Sequence, residues 1–294
     1  MSVEKENMKD TLGQRMKEYE KTWNSTSLDL TKPIYARIDG RHFSSFTRHF
    51  GYPYSDLINY STEDSHGKYY DDWFFNIMQN VAKALLDEFG ADIVENHSDE
   101  ISLGWTDGHK IPFEGQYFKL VSNMASYAGA TLMKFILDDC IKNETVDNKA
   151  FDIVYGNTIP SFDCRILNVP DVMELTNCFV WRQNDCIRGT INQYAQCFFS
   201  HKQLQGKTIA DRLTMLEESG HGDYLKSKEF ENIKYGSFFK KETVELPIDE
   251  KFKQYNPDKT TMIRSRIVQM FPGRLSTAEN KINLLFGNTC NGDQ

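Results

Sequence analysis

Ile34-Tyr35-Ala36-Arg37-Ile38-Asp39-Gly40-Arg41-His42-Phe43 is the stretch on which the fold of this chain turns. Ile34, Ala36 and Ile38 alternate with Tyr35, Arg37 and Asp39, and a period of two describes a half-buried strand with one apolar and one polar face. Arg37 and Asp39 leave on the polar face together. The strand is expected to end at Asp39-Gly40, because Phe43, Phe46 and Phe50 then recur at helical spacing. The pattern reads as strand, tight glycine turn and a helix over about residues 41–50. Free backbone N–H groups at 41–44 would then lie beside a carboxylate, a setting that suits an anion.

A second stretch, His97-Ser98-Asp99-Glu100, has the shape of a hairpin tip. Asp92 to Asn96 leads in, and Ile101, Leu103 and Trp105 share one face on the way out. If this hairpin neighbours the first strand, Asp39 and Asp99 converge at one edge. Two hard carboxylates beside a helix N-terminus suit a magnesium-bound polyphosphate.

Bulk properties narrow the classes. At 294 residues the chain forms one large or two ordinary domains, and 39% hydrophobic with 13% aromatic residues is a folded composition. A net charge of −8 supplies no global field for nucleic acid, so an RNA surface would have to be local. Apolar runs fall short of the roughly 18 residues of a membrane span, so no membrane association is expected. The charged N-terminus has no apolar signal core. The six cysteines contain no C-x-x-C pair and read as free thiols of a reducing cytoplasm.

Taken in order, a short amphipathic helix is expected near Leu12, Met16 and Tyr19, and a long exposed loop over 51–72. Helices follow at about Asp72–Phe89 and Gln116–Ile141, with strands at Ala150–Val154 and Phe162–Val169. The order β-α-α-β-β-α-β-β describes an α+β sandwich of the split-βαβ kind, with helices on a mixed sheet. From Pro170 the chain turns mostly helical, with helices at about Met173–Val180, Asp185–Phe199 and Thr208–Ser219. Strand-like pieces at Ser237–Phe239, Thr243–Leu246 and Met262–Met270 follow. A boundary near residue 170 would divide a catalytic domain (1–170) from a smaller, mostly helical C-terminal domain (171–294).

These residues carry a family resemblance. Arg-Ile-Asp-Gly-Arg-x-Phe at 37–43 and Ser-Asp-Glu at 98–100 resemble the histidine-tRNA guanylyltransferase superfamily, whose members add nucleotides 3′–5′ to RNA 5′ ends. Phe162-Asp163-Cys164-Arg165 and Val180-Trp181-Arg182-Gln183-Asn184-Asp185-Cys186 extend the likeness, which covers roughly residues 12–220 in consistent order. The resemblance implies a polymerase-like palm with a helical, fingers-like second domain. It implies two Mg2+ ions held by Asp39, the Gly40 carbonyl and Asp99. Residues 39–44 (Asp39, Gly40, Arg41, His42, Phe43, Ser44) with Ser98 and Asp99 would line a nucleoside triphosphate, ATP or GTP. A homotetramer acting on tRNA or a similar RNA is implied as well. Two departures point to the guanylyltransferase-like branch of template-dependent 5′-end repair. Asp185-Cys186 is followed by Ile187-Arg188-Gly189 rather than His-Ile-Asn-Asn, and Tyr52-Pro53-Tyr54 stands where a lysine usually adjoins proline.

Read residue by residue, Asp39 and Asp99 are the metal carboxylates, and Glu100 joins them as catalytic or as support, since a strand turns it to the opposite face. Arg37 and Arg41 fork onto phosphate. Ser44 caps a turn or meets phosphate, and Ser98 bonds nucleotide or shapes its turn. Lys202, Lys207 and Arg212 are either a basic edge for RNA or triphosphate or plain solvated charge, as are Lys259, Arg264, Arg266 and Arg274. Trp181 is expected in the core. The expected activity is Mg-dependent templated 3′–5′ addition after ATP or GTP activates a 5′-phosphate. Addition of a single G, a palm-type nucleotide cyclase and a non-catalytic RNA-binding module stand as alternatives.

Overall fold

The computed structural model describes residues 14–17, 19, 26–46, 72–142, 159–248, 250–253, 255 and 260–287. The expected strand at 150–154, nearly all of the 51–72 loop, Tyr52-Pro53-Tyr54, Lys259 and part of the first helix lie outside these residues.

The first strand, β1, spans Ile34–Arg41, and a single turn, α1, covers Phe43–Phe46. Then come α2 (Asp72–Glu88), the hairpin β2 (Ile93–His97) and β3 (Glu100–Trp105), α3 (Tyr117–Lys142) and β4 (Ser161–Asn168). The next segment holds α4 (Val172–Phe198), α5 (His201–Leu204), α6 (Ile209–Glu218) and α7 (Lys228–Tyr235). Strand β5 (Ser237–Pro247), α8 (Glu250–Lys253), β6 (Thr261–Met270) and α9 (Lys281–Phe286) complete the order.

The strands form one six-stranded sheet ordered β4-β1-β3-β2-β5-β6. The first four are a split βαβ palm, as expected. Every pairing among the described residues is antiparallel, so the sheet is not mixed. Inserting β1 between β3 and β4, with a helical crossover before β2 and another before β4, leaves each neighbour running opposite.

One face of the sheet is the main core. Ile34, Ala36 and Ile38 of β1, Ile101, Leu103 and Trp105 of β3, and Val94 of β2 pack with Ile77, Val81 and Leu85 of α2 and Leu120, Met124 and Leu132 of α3. Each such side chain contributes roughly 1.5–3 kcal/mol on burial. The Trp105 indole also donates to the Phe89 carbonyl at 3.1 Å, so its polar atom is satisfied in the core.

The opposite face is covered by α4, whose Leu175 and Phe179 pack with Tyr35, Ile93, Phe238, Leu275 and Leu285. Gly104 permits this approach, since a Cβ there would stand 2.9 Å from Phe179 Cε2. Asp171 caps α4 by accepting from the Glu174 N–H at 2.9 Å.

Two expectations are corrected here. The helices expected at 173–180 and 185–199 are one helix of 27 residues. The apolar period lapses at Arg182-Gln183-Asn184 because polar groups are buried there, not because the helix breaks. The tail also returns to the palm: β5 pairs with β2 from Ile93↔Lys240 to Asn96↔Ser237. Phe238 and Phe239 anchor it, one in each face's core.

Candidate active site

The register sets the site. Asp39 of β1 lies opposite Glu100 of β3 and opposite Asp163 of β4, while Arg37 lies opposite Ser102 and Arg165. These side chains share the α4-covered face, because paired residues project to the same side. The tip of the β2–β3 hairpin is the two-residue turn Ser98-Asp99, with Ser98 at φ 51. The Gly40 N–H donates to the Asp99 carbonyl at 3.1 Å, which locks the tip against the end of β1. Asp39 and Asp99 therefore come to one edge, as the sequence suggested.

Gly40 is required for a different reason from the one its position implied. β1 continues through Gly40 and Arg41, and the chain turns at His42, which holds φ 57. A Cβ at Gly40 would run into the Phe43 ring and stand 2.8 Å from Asp99 Oδ2. The glycine makes room for a carboxylate and a ring. Phe43 itself is core, with its ring 4.9 Å from Phe162, 5.2 Å from Phe46 and 6.0 Å from Phe74, so it presents no side chain to a ligand. Of the helix expected over 41–50, Phe43–Phe46 is helical, Arg41 and His42 precede it and are exposed, and 47–50 lie outside the described residues.

Burial pushes the Asp99 carboxyl up to about 6, helped by the charge of Asp39. Asp39 is raised as well, first by desolvation and then by Glu100, with the Arg37 guanidinium opposing. Arg37 Nη2 stands 3.9 Å from Asp39 Oδ2. Two carboxylates that are costly to ionise side by side fit a hard divalent cation, whose charge would favour both. Among the described residues no group of three or more His, Cys, Asp or Glu side chains could hold a metal alone. Magnesium needs only one or two protein carboxylates, with phosphate and water completing its shell. Gly40 follows Asp39 directly in β1, opposite Phe162 of β4, and its N–H is the group that meets the Asp99 carbonyl.

Glu100 is placed otherwise. Both of its oxygens are taken by Arg182 of α4, from Nε at 2.5 Å and Nη2 at 2.6 Å. Arg182 Nη1 reaches Asp185 at 2.5 Å, and Asp185 also pairs with Arg188. Glu100 thus ties α4 to the strand that carries Asp99, and it faces Arg182 rather than a ligand. His97 approaches Glu100 at 3.7 Å, but burial and the nearby Arg182 and Arg37 push it down to about 3. Its imidazole is neutral, so this contact is no ion pair.

Three residues of the W-R-Q run play roles that periodicity alone did not reveal. Gln183 is buried and saturated, donating from Nε2 to the carbonyls of Tyr235 and Gly273 and accepting from the Leu275 N–H. It fastens α4 to the end of α7, just before β5, and to the chain after β6. Trp181, expected in the core, is 52% exposed and lies against the Arg182 and Arg37 guanidiniums at 4.6 and 5.8 Å. Beside them, on β2, Glu95 is wholly buried with no hydrogen-bond partner for either oxygen among the described residues, and burial raises it well above the ordinary carboxylate range. The sequence signal for this polar layer was the lapse in apolar spacing inside α4.

Lys202, Lys207 and Arg212 are not gathered here. They belong to the turn and helix around Leu204, which packs on Ile191, Tyr194 and Ala195, roughly 15–20 Å along α4 from Arg182. Arg212 is spent locally, donating to the carbonyls of Lys207 and Leu204. Cys164, Cys178 and Cys186 stand as thiols outside any disulfide. Among the described residues, no helix is long and apolar enough to cross a membrane.

A palm sheet with two carboxylates at the end of its central strands fits the class that the comparisons show, the nucleotidyltransferases. Residues 13–170 match the family model described as tRNAHis guanylyltransferase (Thg1), and the chain belongs to that family. An uncharacterized protein of Acanthamoeba polyphaga mimivirus is 26% identical over 227 residues, covering 71% of this chain and 70% of that one. The tRNA(His) guanylyltransferase of Debaryomyces hansenii is 25% identical over 217 residues, with 72% of each chain covered. A bacterial Thg1-like protein in complex with ATP superposes with a TM-score of 0.66 at 24% identity, over 94% of this chain and all of that one. Saccharomyces cerevisiae tRNA(His) guanylyltransferase gives 0.57 at 18% identity, over 75% and 90%.

Proposed function

We propose that this nucleotidyltransferase is magnesium-dependent and adds nucleotides in the 3′–5′ direction to the 5′ end of tRNA or a similar RNA, by template-dependent repair. The observation that carries the reading is the Asp39–Asp99 pair fixed across Gly40, beside Arg37. The solved Thg1-like proteins in complex with ATP and with GTP support a nucleoside triphosphate as ligand. The absence of His-Ile-Asn-Asn after Asp185-Cys186 supports repair over addition of one G.

Magnesium, when bound, would neutralise triphosphate charge and polarise the phosphorus under attack. Asp39, Asp99 and the Gly40 carbonyl would hold it. Arg37 and Arg41 fork onto phosphate oxygens and orient the chain for in-line displacement. An oxygen of the RNA 5′-phosphate first attacks the α-phosphorus of ATP or GTP, and pyrophosphate leaves. The 3′-hydroxyl of the incoming nucleotide then attacks the activated 5′-phosphorus, forming a new P–O bond as the bond to AMP or GMP breaks and the hydroxyl proton passes to solvent. Positioning and charge stabilisation suffice, so no dedicated general base is needed. We further propose a palm built on residues 1–170 and extended by β5 and β6, the helical part of 171–294 as a fingers-like segment, and a cytoplasmic homotetramer as the working form.

The test is incubation with magnesium, four nucleoside triphosphates and a 5′-truncated tRNA, beside Asp99→Ala. Extension that obeys pairing with the acceptor strand, and is lost in the variant, is the expected result. One untemplated G returns the protein to the tailing reaction, and label in a cyclic product supports a cyclase. Nucleotide binding without any transfer leaves a binding module.

A further inference from the structure

Trp181 is the feature of the α4-covered face that the proposed reaction has not used. It sits on the same helix turn as two deeply buried residues, Arg182 and Gln183, yet 52% of it meets solvent, whereas Trp105 is fully buried. Exposure alone says little of a single apolar side chain, but an aromatic ring left half open beside two guanidiniums is a surface a ligand can use. Its neighbours define the ligand's chemistry. The Arg37 and Arg182 guanidiniums stand 5.8 and 4.6 Å from the ring centre. Arg37 is also 3.9 Å from the Asp39 carboxylate. An open indole, a guanidinium and the catalytic carboxylate thus follow one another along a short path. A planar aromatic group joined to an anionic chain matches that sequence of surfaces.

We infer that Trp181 is a stacking platform for a nucleobase whose phosphates run over Arg37 toward Asp39 and Asp99. The inference rests on the nucleotide-transfer reading and deepens it. A base stacks on any aromatic face, which gives affinity without strict base choice. That tolerance suits an enzyme whose template, not its pocket, selects the nucleotide. The base belongs either to a free nucleoside triphosphate or to the RNA end.

The bland role for Trp181 is an apolar lid over the Arg182–Glu100 pair, and the experiment separates the two. With magnesium present, binding of ATP, GTP, a 5′-phosphorylated single-stranded oligoribonucleotide and inorganic tripolyphosphate is measured on wild type, Trp181→Phe and Trp181→Leu. Leucine keeps a lid but offers no ring. The expected result is a base-dependent loss in Trp181→Leu of roughly 5- to 100-fold, with tripolyphosphate unchanged and Trp181→Phe within a few-fold of wild type. A loss confined to ATP and GTP places the free nucleotide on the ring, and one confined to the oligonucleotide places the RNA end there. Equal weakening of tripolyphosphate, or no change for any ligand, overturns the inference. Templated extension with an unchanged KM in Trp181→Leu overturns stacking alone. Base-dependent binding without any transfer in wild type upholds stacking and overturns the polymerase reading.

Discussion

Replacing Arg182 by Met tests the electrostatic logic of the site most directly. The guanidinium and the Glu100 carboxylate are both almost fully removed from solvent, at 9% and 8% side-chain exposure, and meet through two bonds of 2.5 and 2.6 Å. Arg182→Met fills similar volume but leaves Glu100 buried beside Asp39 and Glu95 with no cation on its oxygens. Breaking such a pair from one side costs about 3–5 kcal/mol, a large share of the roughly 5–15 kcal/mol of an ordinary fold. Removing both charges, as Arg182→Met with Glu100→Gln, costs far less than the sum, because no charge is stranded. Urea unfolding of wild type, both single variants and the double gives the coupling directly. The expected coupling is at least about 2 kcal/mol. Because Glu100 adjoins Asp99, transfer activity should fall in Arg182→Met and recover in part in the double variant. An Arg182→Met protein within about 0.5 kcal/mol of wild type would refute the assignment of Glu100 as the strut between α4 and the hairpin that carries Asp99.

Gly40→Ala forces a methyl group into the space of the Phe43 ring and the Asp99 carboxylate. It should cost about 1–3 kcal/mol in stability and, by displacing Asp99, at least about 100-fold in transfer rate; Gly40→Ala with Phe43→Leu should regain stability but not rate. Glu95 is raised in the folded protein, so the native state holds a proton that the unfolded chain releases above its ordinary value. Stability therefore falls as pH rises from about 4.5 toward the folded value, and Glu95→Gln should flatten that fall and gain most at high pH, as read by thermal unfolding across pH 5–9. Gln183→Met strands two carbonyls and an N–H and should cost about 2–4 kcal/mol, with faster amide exchange at Leu275 as its marker.

The sequence by itself determined the elements that rest on local periodicity. Alternation at 34–39, the hairpin around Ser98-Asp99 and the long apolar stripes of α2 and α3 are patterns that neighbouring residues set, and each reappears in the structure. The motif order also carried the family and the meeting of Asp39 with Asp99. What lay outside local pattern was decided by pairing across the chain. Gly40 reads as a turn former, but its reason is the volume taken by Phe43 and Asp99, which no spacing reports. Glu100 reads as a third catalytic carboxylate because it adjoins Asp99, yet the strand turns it toward Arg182, a partner 82 positions away in the chain. Arg182 and Gln183 read as a gap between two helices because polar residues are normally exposed. Only the tertiary structure supplies the buried carboxylate and backbone groups that let them stay inside, and the same packing leaves Trp181 facing outward. Strand β5 is the clearest case: its first residues join the palm because both faces of the sheet there are already covered by apolar side chains, and only the assembled sheet provides those faces.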